Sequence, residues 1–193
     1  MREAILRKAR ESADLKLRFF DENASAIERC IGDLAARFRR GAQLWVMGNG
    51  GSACDAEHVA VEFLHPIIEK RKPLPATALT TDSATLTAIG NDTDFSHVFA
   101  KQLDLLARPD DAALGISTSG ASANVNRALR RARELRLLTI GFAGRDGGRM
   151  PDVCDHCFIV KSWSIHRIQE VHTVLLHLLW DLTQIALGED DVV

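Results

Sequence analysis

From Leu44 onward the chain alternates short apolar runs with longer segments of helical periodicity. The runs are Leu44–Met47, Ala76–Leu79, Ala112–Ile116, Leu137–Phe142 and Cys157–Val160. None alternates strictly between apolar and polar positions, so each reads as a strand covered on both faces, as in a parallel sheet. Between them, Ser52–Leu64, Asp82–Gly90 with Phe95–Leu106, and Ser122–Arg136 carry the spacing of amphipathic helices. A last helix, from about Ile165 to Leu187, is apolar around most of its girth and calls for burial on several sides, including against another subunit. Ahead of Leu44 the pattern predicts two helices. Ser25-Ala-Ile-Glu28 has the form of a capping box, so the second is expected to start there. Ile27, Ile31, Leu34 and Phe38 then form a narrow apolar seam, and Arg39-Arg40-Gly41 closes the helix with cations and a glycine.

These elements predict an α/β fold: a five-stranded parallel doubly wound sheet in the flavodoxin-like order 2-1-3-4-5, with extra N- and C-terminal helices. A length of 193 residues fits a single domain over 1–193, with 1–41 as helices used in oligomerisation and 42–193 as the α/β core and C-terminal helix.

Composition narrows the function classes. The formal net charge of −2 argues against a general nucleic-acid surface. Arg127, Arg130, Arg131, Arg133 and Arg136 read as the solvated face of one helix. The stretch after Met1 is charged and amphipathic, and the most apolar run, Val174–Leu187, is interrupted by His177, Asp181 and Gln184. No membrane partner is therefore expected, and a cytoplasmic location is. Cys154 and Cys157 form a lone C-x-x-C, for which packing before a strand is the simplest role.

Two loops at predicted strand ends look chemical: Gly48-Asn49-Gly50-Gly51-Ser52 and Ser117-Thr118-Ser119-Gly120-Ala121-Ser122. In doubly wound sheets ligands bind beyond the carboxyl ends of the strands where the order reverses, and with strands one and three adjacent these loops face each other. The second brings four hydroxyls to the start of a helix, which suits a phosphate, although a serine-rich turn with an N-cap would look similar. Neither loop contains Lys or Arg, and neither has the P-loop or dinucleotide glycine pattern, so a sugar phosphate fits better than a nucleoside triphosphate. His58 and Glu62 sit four residues apart on the following helix. That spacing serves a metal site, an acid/base pair or a plain surface pair. Gln169, Glu170, His172 and His177 add polar groups to the apolar last helix. Gln169 and His177 are eight residues apart, about 80° around the helix and about 12 Å along it, which strains any single metal site that takes both.

GNGGSACDAEHVAVE (Gly48 to Glu62), LTAIGND (Leu86 to Asp92), GISTSGASANV (Gly115 to Val125) and RIQEVHTVLLHLLWD (Arg167 to Asp181) resemble the phosphoheptose isomerase family. This family belongs to the sugar isomerase (SIS) domain class. The resemblance runs from about residue 2 to residue 187, in order and with matching spacing. It implies a SIS-type fold, a homotetramer with active sites between subunits, one probable Zn2+ per subunit, and interconversion of sedoheptulose 7-phosphate and D-glycero-D-manno-heptose 7-phosphate. By the same resemblance Glu62 is the base and His177 the acid of the proton shuttle, and His58, Glu62, Gln169 and His177 are the zinc ligands. Asn49, Gly50, Gly51 and Ser52 match the substrate loop, Asn91 and Asp92 match sugar-hydroxyl contacts, and Ser117, Thr118, Ser119 and Ser122 match the phosphate cradle. Gln169 also counts among the substrate contacts.

The residue types suit that chemistry in their own right. Moving a carbonyl between C1 and C2 needs a proton lifted from one carbon and returned to its neighbour, which one carboxylate can do in turn. A second group or a metal then manages the charge on oxygen. One departure bears on substrate identity: where the family carries a Thr-Gly-Arg-like segment, this chain has Leu64-His65-Pro66-Ile67-Ile68, so a cationic contact is lost at Pro66, with Arg71 and Lys72 nearby as replacements. Trp163-Ser164-Ile165-His166 also replaces small polar residues before RIQE and is expected to alter the pocket's lid. His65, His97, His156 and His166 match no family role. The competing readings are a non-catalytic SIS module, of the kind that binds a bacterial replication initiator, and an isomerase of another sugar phosphate.

Overall fold

The structure is a computed structural model that describes residues 1–67 and 70–192. Five parallel strands, β1 (Leu44–Gly48), β2 (Ala76–Ala78), β3 (Ala112–Ser117), β4 (Leu138–Gly144) and β5 (His156–Val160), form one sheet in the order β2-β1-β3-β4-β5. The predicted order and class both hold. Register aligns Gly48 with Ile116, and Ser117 with Ala143, so the loops after β1, β3 and β4 leave the sheet side by side. β1, β3 and β4 are buried at every position, which is why their sequences carry no alternation.

The helices are α1 (Arg2–Arg39), α2 (Gly51–Leu64), α3 (Ser83–Asp92), α4 (Ala100–Leu106), α5 (Ala123–Glu134) and α6 (Ile165–Leu187). Successive strand residues point to opposite faces, so β1 feeds two cores. Leu44 and Val46 join Leu34, Val59, Phe63, Leu175 and Leu179 beneath α1, α2 and α6. Trp45 and Met47 join Phe99, Leu103, Val125 and Leu129 beneath α4 and α5. Among the described residues no helix is long and apolar enough to cross a membrane.

One prediction fails at the N-terminus, where α1 is a single unbroken helix of 38 residues rather than two. Ser25 and Glu28 sit inside it. A capping box operates only if the preceding residues leave the helix, and no Gly or Pro lies between Arg2 and Ile31 to make them leave. Asn23 donates to the Phe19 carbonyl 2.7 Å away, a bond that keeps its side chain on the helix. The predicted helix Phe95–Leu106 is also divided, into a 3-10 turn at Phe95–His97 and α4.

The arginine face of α5 is solvated as expected. Arg127, Arg130, Arg133 and Arg136 are exposed, and Arg131 pairs with Asp104 and Glu134. All four cysteines are free, and a Cβ at Gly141 would meet Cys154 Sγ at 2.7 Å, so Cys154 fills the space that this glycine leaves before β5.

Candidate active site

The turn between β1 and α2 needs its glycines. Gly50 has φ +56°, a left-handed conformation that L side chains rarely adopt. A Cβ at Gly48 would lie 2.3 Å from the Ser52 carbonyl, and one at Gly51 would lie 2.2 Å from Gln169 Nε2. The α6 glutamine is therefore seated directly on the first residue of α2. Ser52 is buried beneath the turn.

The serine loop faces this turn. Ser122 stands at the N-cap of α5 yet makes no side-chain cap bond. Its Oγ instead lies 2.9 Å from Ser117 Oγ, which is 3.4 Å from Ser119 Oγ. Three hydroxyls thus converge at the helix N-terminus, and Ser119 Oγ also accepts from the Ala121 N–H at 3.2 Å, as in an ordinary serine turn. Gly120, at φ +62°, lets the loop close onto its neighbour. A Cβ there would fall 1.9 Å from the Gly147 carbonyl, and the Gly120 carbonyl accepts from Asn126 Nδ2 (2.9 Å) and Arg149 N (3.1 Å).

Asn124 was absent from the sequence-based set. Asn49 Nδ2 donates to Asn124 Oδ1 (2.9 Å), and Asn124 Nδ2 donates back to Asn49 Oδ1 (2.8 Å). This reciprocal amide pair clamps the two loops together. The signal was in GASANV, where an asparagine two residues past the N-cap invites a partner across the crevice.

Eleven residues along α2 from Gly51, about 16 Å, stands Glu62. Its Oε1 lies 3.3 Å from His58 Nε2, and His58 Nε2 lies 3.2 Å from His177 Nε2. The donor atoms of these three residues all fall within 4.8 Å of one another. His58 and Glu62 share a face of α2, and α6 packs alongside to supply His177. One ring proton on His58 Nε2 cannot serve a carboxylate and a second imidazole equally well. Two imidazoles and a carboxylate converging on one point could hold a metal ion, and they are donor types that Zn2+ accepts. With bonds of about 2.0–2.1 Å, the ligand atoms of a tetrahedral site stand about 3.4 Å apart. The His58–Glu62 and His58–His177 separations fit that spacing.

Asp55 lies one turn before His58 and is half-buried. Its Oδ2 has no partner among the described residues, and burial pushes its carboxyl above the usual range while His58 pulls it back. Its i, i+3 and i, i+7 spacing to His58 and Glu62 was legible in the sequence.

Other predicted residues lie elsewhere. Gln169 is held against Gly51, about 10 Å of α2 from His58, so within one protomer it belongs to the loop end rather than to the His–Glu–His cluster. Asn91 and Asp92 are exposed at the end of α3 and bond to each other, Nδ2 to Oδ1, at 2.8 Å. Thr118 is half-buried in the serine loop. Arg71 does not replace the cation lost at Pro66. It is buried, bonded to Asp181 (2.5 Å) and the Asp190 carbonyl (2.9 Å), and stacked over Trp180. Lys72 is exposed, and Ile68, the end of the altered segment, lies outside the described residues.

The model of the SIS domain family matches residues 9–144. A phosphoheptose isomerase of Nitratidesulfovibrio vulgaris is 45% identical over 98% of this chain and 91% of its own length. Among solved structures, a phosphoheptose isomerase from Francisella tularensis superposes with a TM-score of 0.90 at 34% identity, covering 95% of this chain and 97% of the other. One from Neisseria gonorrhoeae gives 0.88 at 36%, covering 94% and 97%. On the strength of that full-length likeness, the chain belongs to the phosphoheptose isomerase family of SIS-domain proteins.

Proposed function

We infer that the chain is a ketose–aldose isomerase that interconverts sedoheptulose 7-phosphate and D-glycero-D-manno-heptose 7-phosphate through an enediol. The observation that carries the reading is the meeting of Glu62, His58 and His177, which lie far apart in sequence, at one point. Glu62 lifts the proton from one carbon and returns it to the next, and His177 exchanges the oxygen's proton. Ser117, Thr118, Ser119 and Ser122 hold the phosphate, while Asn49, Gly50, Gly51, Ser52 and Gln169 line the sugar's path. Asn91 and Asp92 are assigned to sugar hydroxyls. Remote binding of the phosphate positions the reacting carbons. His58, Glu62 and His177 would hold a Zn2+ ion, with Gln169 from the loop end of a neighbouring copy as a further ligand, and the ion would supply electrophilic stabilisation of charge on oxygen.

The length of α2 supports a shared site. Glu62 stands about 16 Å of helix away from Gly51 in the glycine turn, to which the Asn49–Asn124 pair clamps the serine loop, and that span supports a heptose phosphate not reaching both ends in one protomer. We therefore place each active site between subunits of a homotetramer, with the loops from one copy and Glu62 and His177 from another. A groove of about 460 Å³ between α1 and α6, lined by Phe20, Ile27, Ile31, Leu178, Leu182 and Ile185, supports burial of this face against a second copy. In this reading residues 1–193 act as one SIS domain whose first 41 residues serve assembly. The compartment is the cytoplasm, where sugar phosphates are made and free thiols stay reduced.

Sedoheptulose 7-phosphate is the substrate to supply, with aldose formation as the readout. Glu62→Gln should lower kcat by about a thousandfold. A chelator should depress turnover and added Zn2+ should restore it. Full activity in Glu62→Gln would remove the assigned base, and turnover of a C5 or C6 sugar phosphate in preference to the heptulose would reassign the substrate.

A further inference from the structure

The phosphate end of the site, as described, has hydroxyls, backbone N–H groups and a helix dipole but no cation. We propose that Arg145, stacked on Trp163, supplies that positive charge and is a specificity-determining residue for the phosphorylated end of the substrate. The inference rests on the serine loop being the phosphate cradle.

Arg145 is the first residue beyond the carboxyl end of β4, the neighbour of the strand that carries the serine loop. Gly144, directly before it, touches that loop: a Cβ there would lie 2.6 Å from the Thr118 carbonyl. The Arg145 backbone therefore starts one residue from the cradle, on the ligand-binding edge of the sheet. Its φ of +59° is an unfavourable conformation for a residue with a Cβ, held by the Arg145 N–H donating to the Ser162 carbonyl at 3.1 Å.

The side chain is stacked yet otherwise unengaged among the described residues. Its guanidinium lies 5.5 Å from the centre of the Trp163 ring. Among the described residues its buried Nε has no hydrogen-bond partner and the ion pairs leave it out. Arg71 also has a buried Nε without a partner among the described residues, but its two terminal nitrogens engage a carboxylate and a carbonyl and its guanidinium stacks on an indole, whereas Arg145 engages the Trp163 ring alone. A buried N–H without an acceptor costs free energy, and a planar cation on an aromatic shelf keeps its orientation while its donors stay free. An arriving phosphate dianion is the acceptor that this arrangement lacks. Trp163 is 74% exposed and lies just before α6, the helix that sets Gln169 on Gly51, so the Arg145–Trp163 pair borders the same crevice.

The test uses the intact protein with inorganic phosphate as the calorimetric ligand and sedoheptulose 7-phosphate as the kinetic one. Arg145→Met should weaken phosphate binding and raise KM by roughly tenfold or more, with a much smaller change in kcat. Arg145→Lys should recover most of the loss, and Trp163→Leu should fall between. If Arg145→Met does not fold, Arg145→Gly removes the charge and relieves the backbone, and the same losses are expected. Unchanged phosphate affinity in these variants would overturn the assignment. So would a fall in kcat at constant KM, or losses that merely track dissociation of the oligomer. Phosphate binding needs no turnover, which separates the two claims. Wild-type protein that binds phosphate in an Arg145-dependent way but leaves the heptulose unchanged would refute the isomerase reading alone. Wild-type protein that binds no phosphate would refute the cradle and this inference with it.

Discussion

At the scale of single residues, burial gives one histidine of α6 a structural role. His172 is fully buried in α6, with its ring nitrogen Nε2 3.0 Å from the Ala143 carbonyl and Nδ1 without a partner among the described residues. Desolvation pushes its pKa from 6.5 down to about 4. The unfolded chain thus binds a proton near pH 6.5 that the folded chain refuses until about pH 4. The contribution to stability is complete above about pH 6.5 and is lost as pH falls toward 4, on the order of 3 kcal/mol in all. Urea midpoints measured from pH 7 to 4.5 should fall steeply in the wild type and less so in His172→Gln, which keeps a donor for Ala143 but has no proton to gain. Parallel curves would mean that His172 is not the buried neutral group described here.

At the scale of elements, Gly51 and Gly120, one in each candidate turn, meet different obstacles, and two substitutions should tell them apart. In Gly51→Ala the new Cβ meets the end of a flexible side chain, the Gln169 amide, which can swing away. Stability should change by less than about 1 kcal/mol while substrate affinity drops, because the glutamine leaves its seat. In Gly120→Ala the new Cβ meets the Gly147 backbone and φ is +62°, so nothing yields cheaply. A loss of roughly 3 kcal/mol or more is expected, read as a lower melting temperature, with activity falling as the protein unfolds. The Asn49–Asn124 amide pair belongs to the same junction, since it fixes the spacing between turns that come from different strands.

At the scale of the whole molecule, a shared site predicts complementation. Glu62→Gln removes the proposed base but leaves the serine loop intact, and a Ser119→Ala/Ser122→Ala double variant does the reverse. If subunits contribute complementary halves, co-refolding the two inactive proteins should restore a fraction of wild-type turnover, because some interfaces pair two intact halves. No recovery in a demonstrably mixed oligomer would place the whole site within one chain. Introducing a charge into the α1–α6 groove, as in Leu182→Glu, should lower the assembled mass in light scattering and reduce activity with it.

Much of this was legible in the chain. Uninterrupted apolar runs and intervening helical periods dictated a parallel sheet wound on both sides, because only strands buried on both faces dispense with alternation. The two turns, His58 with Glu62, and His177 were visible as residue types at informative spacings. What distance along the chain could not reveal was settled by packing. Local capping logic broke α1 at Ser25, but the helix continues because one apolar seam runs past that point. Helical geometry set Gln169 and His177 two turns apart, and only the pairing of α6 with α2 decides that one reaches Gly51 and the other His58. Asn124 and Arg145 gain meaning solely from neighbours contributed by other strands. Periodicity is a local property imposed by burial, so the sequence alone carries it. Which distant groups meet depends on how whole elements stack, and that was decided only in three dimensions.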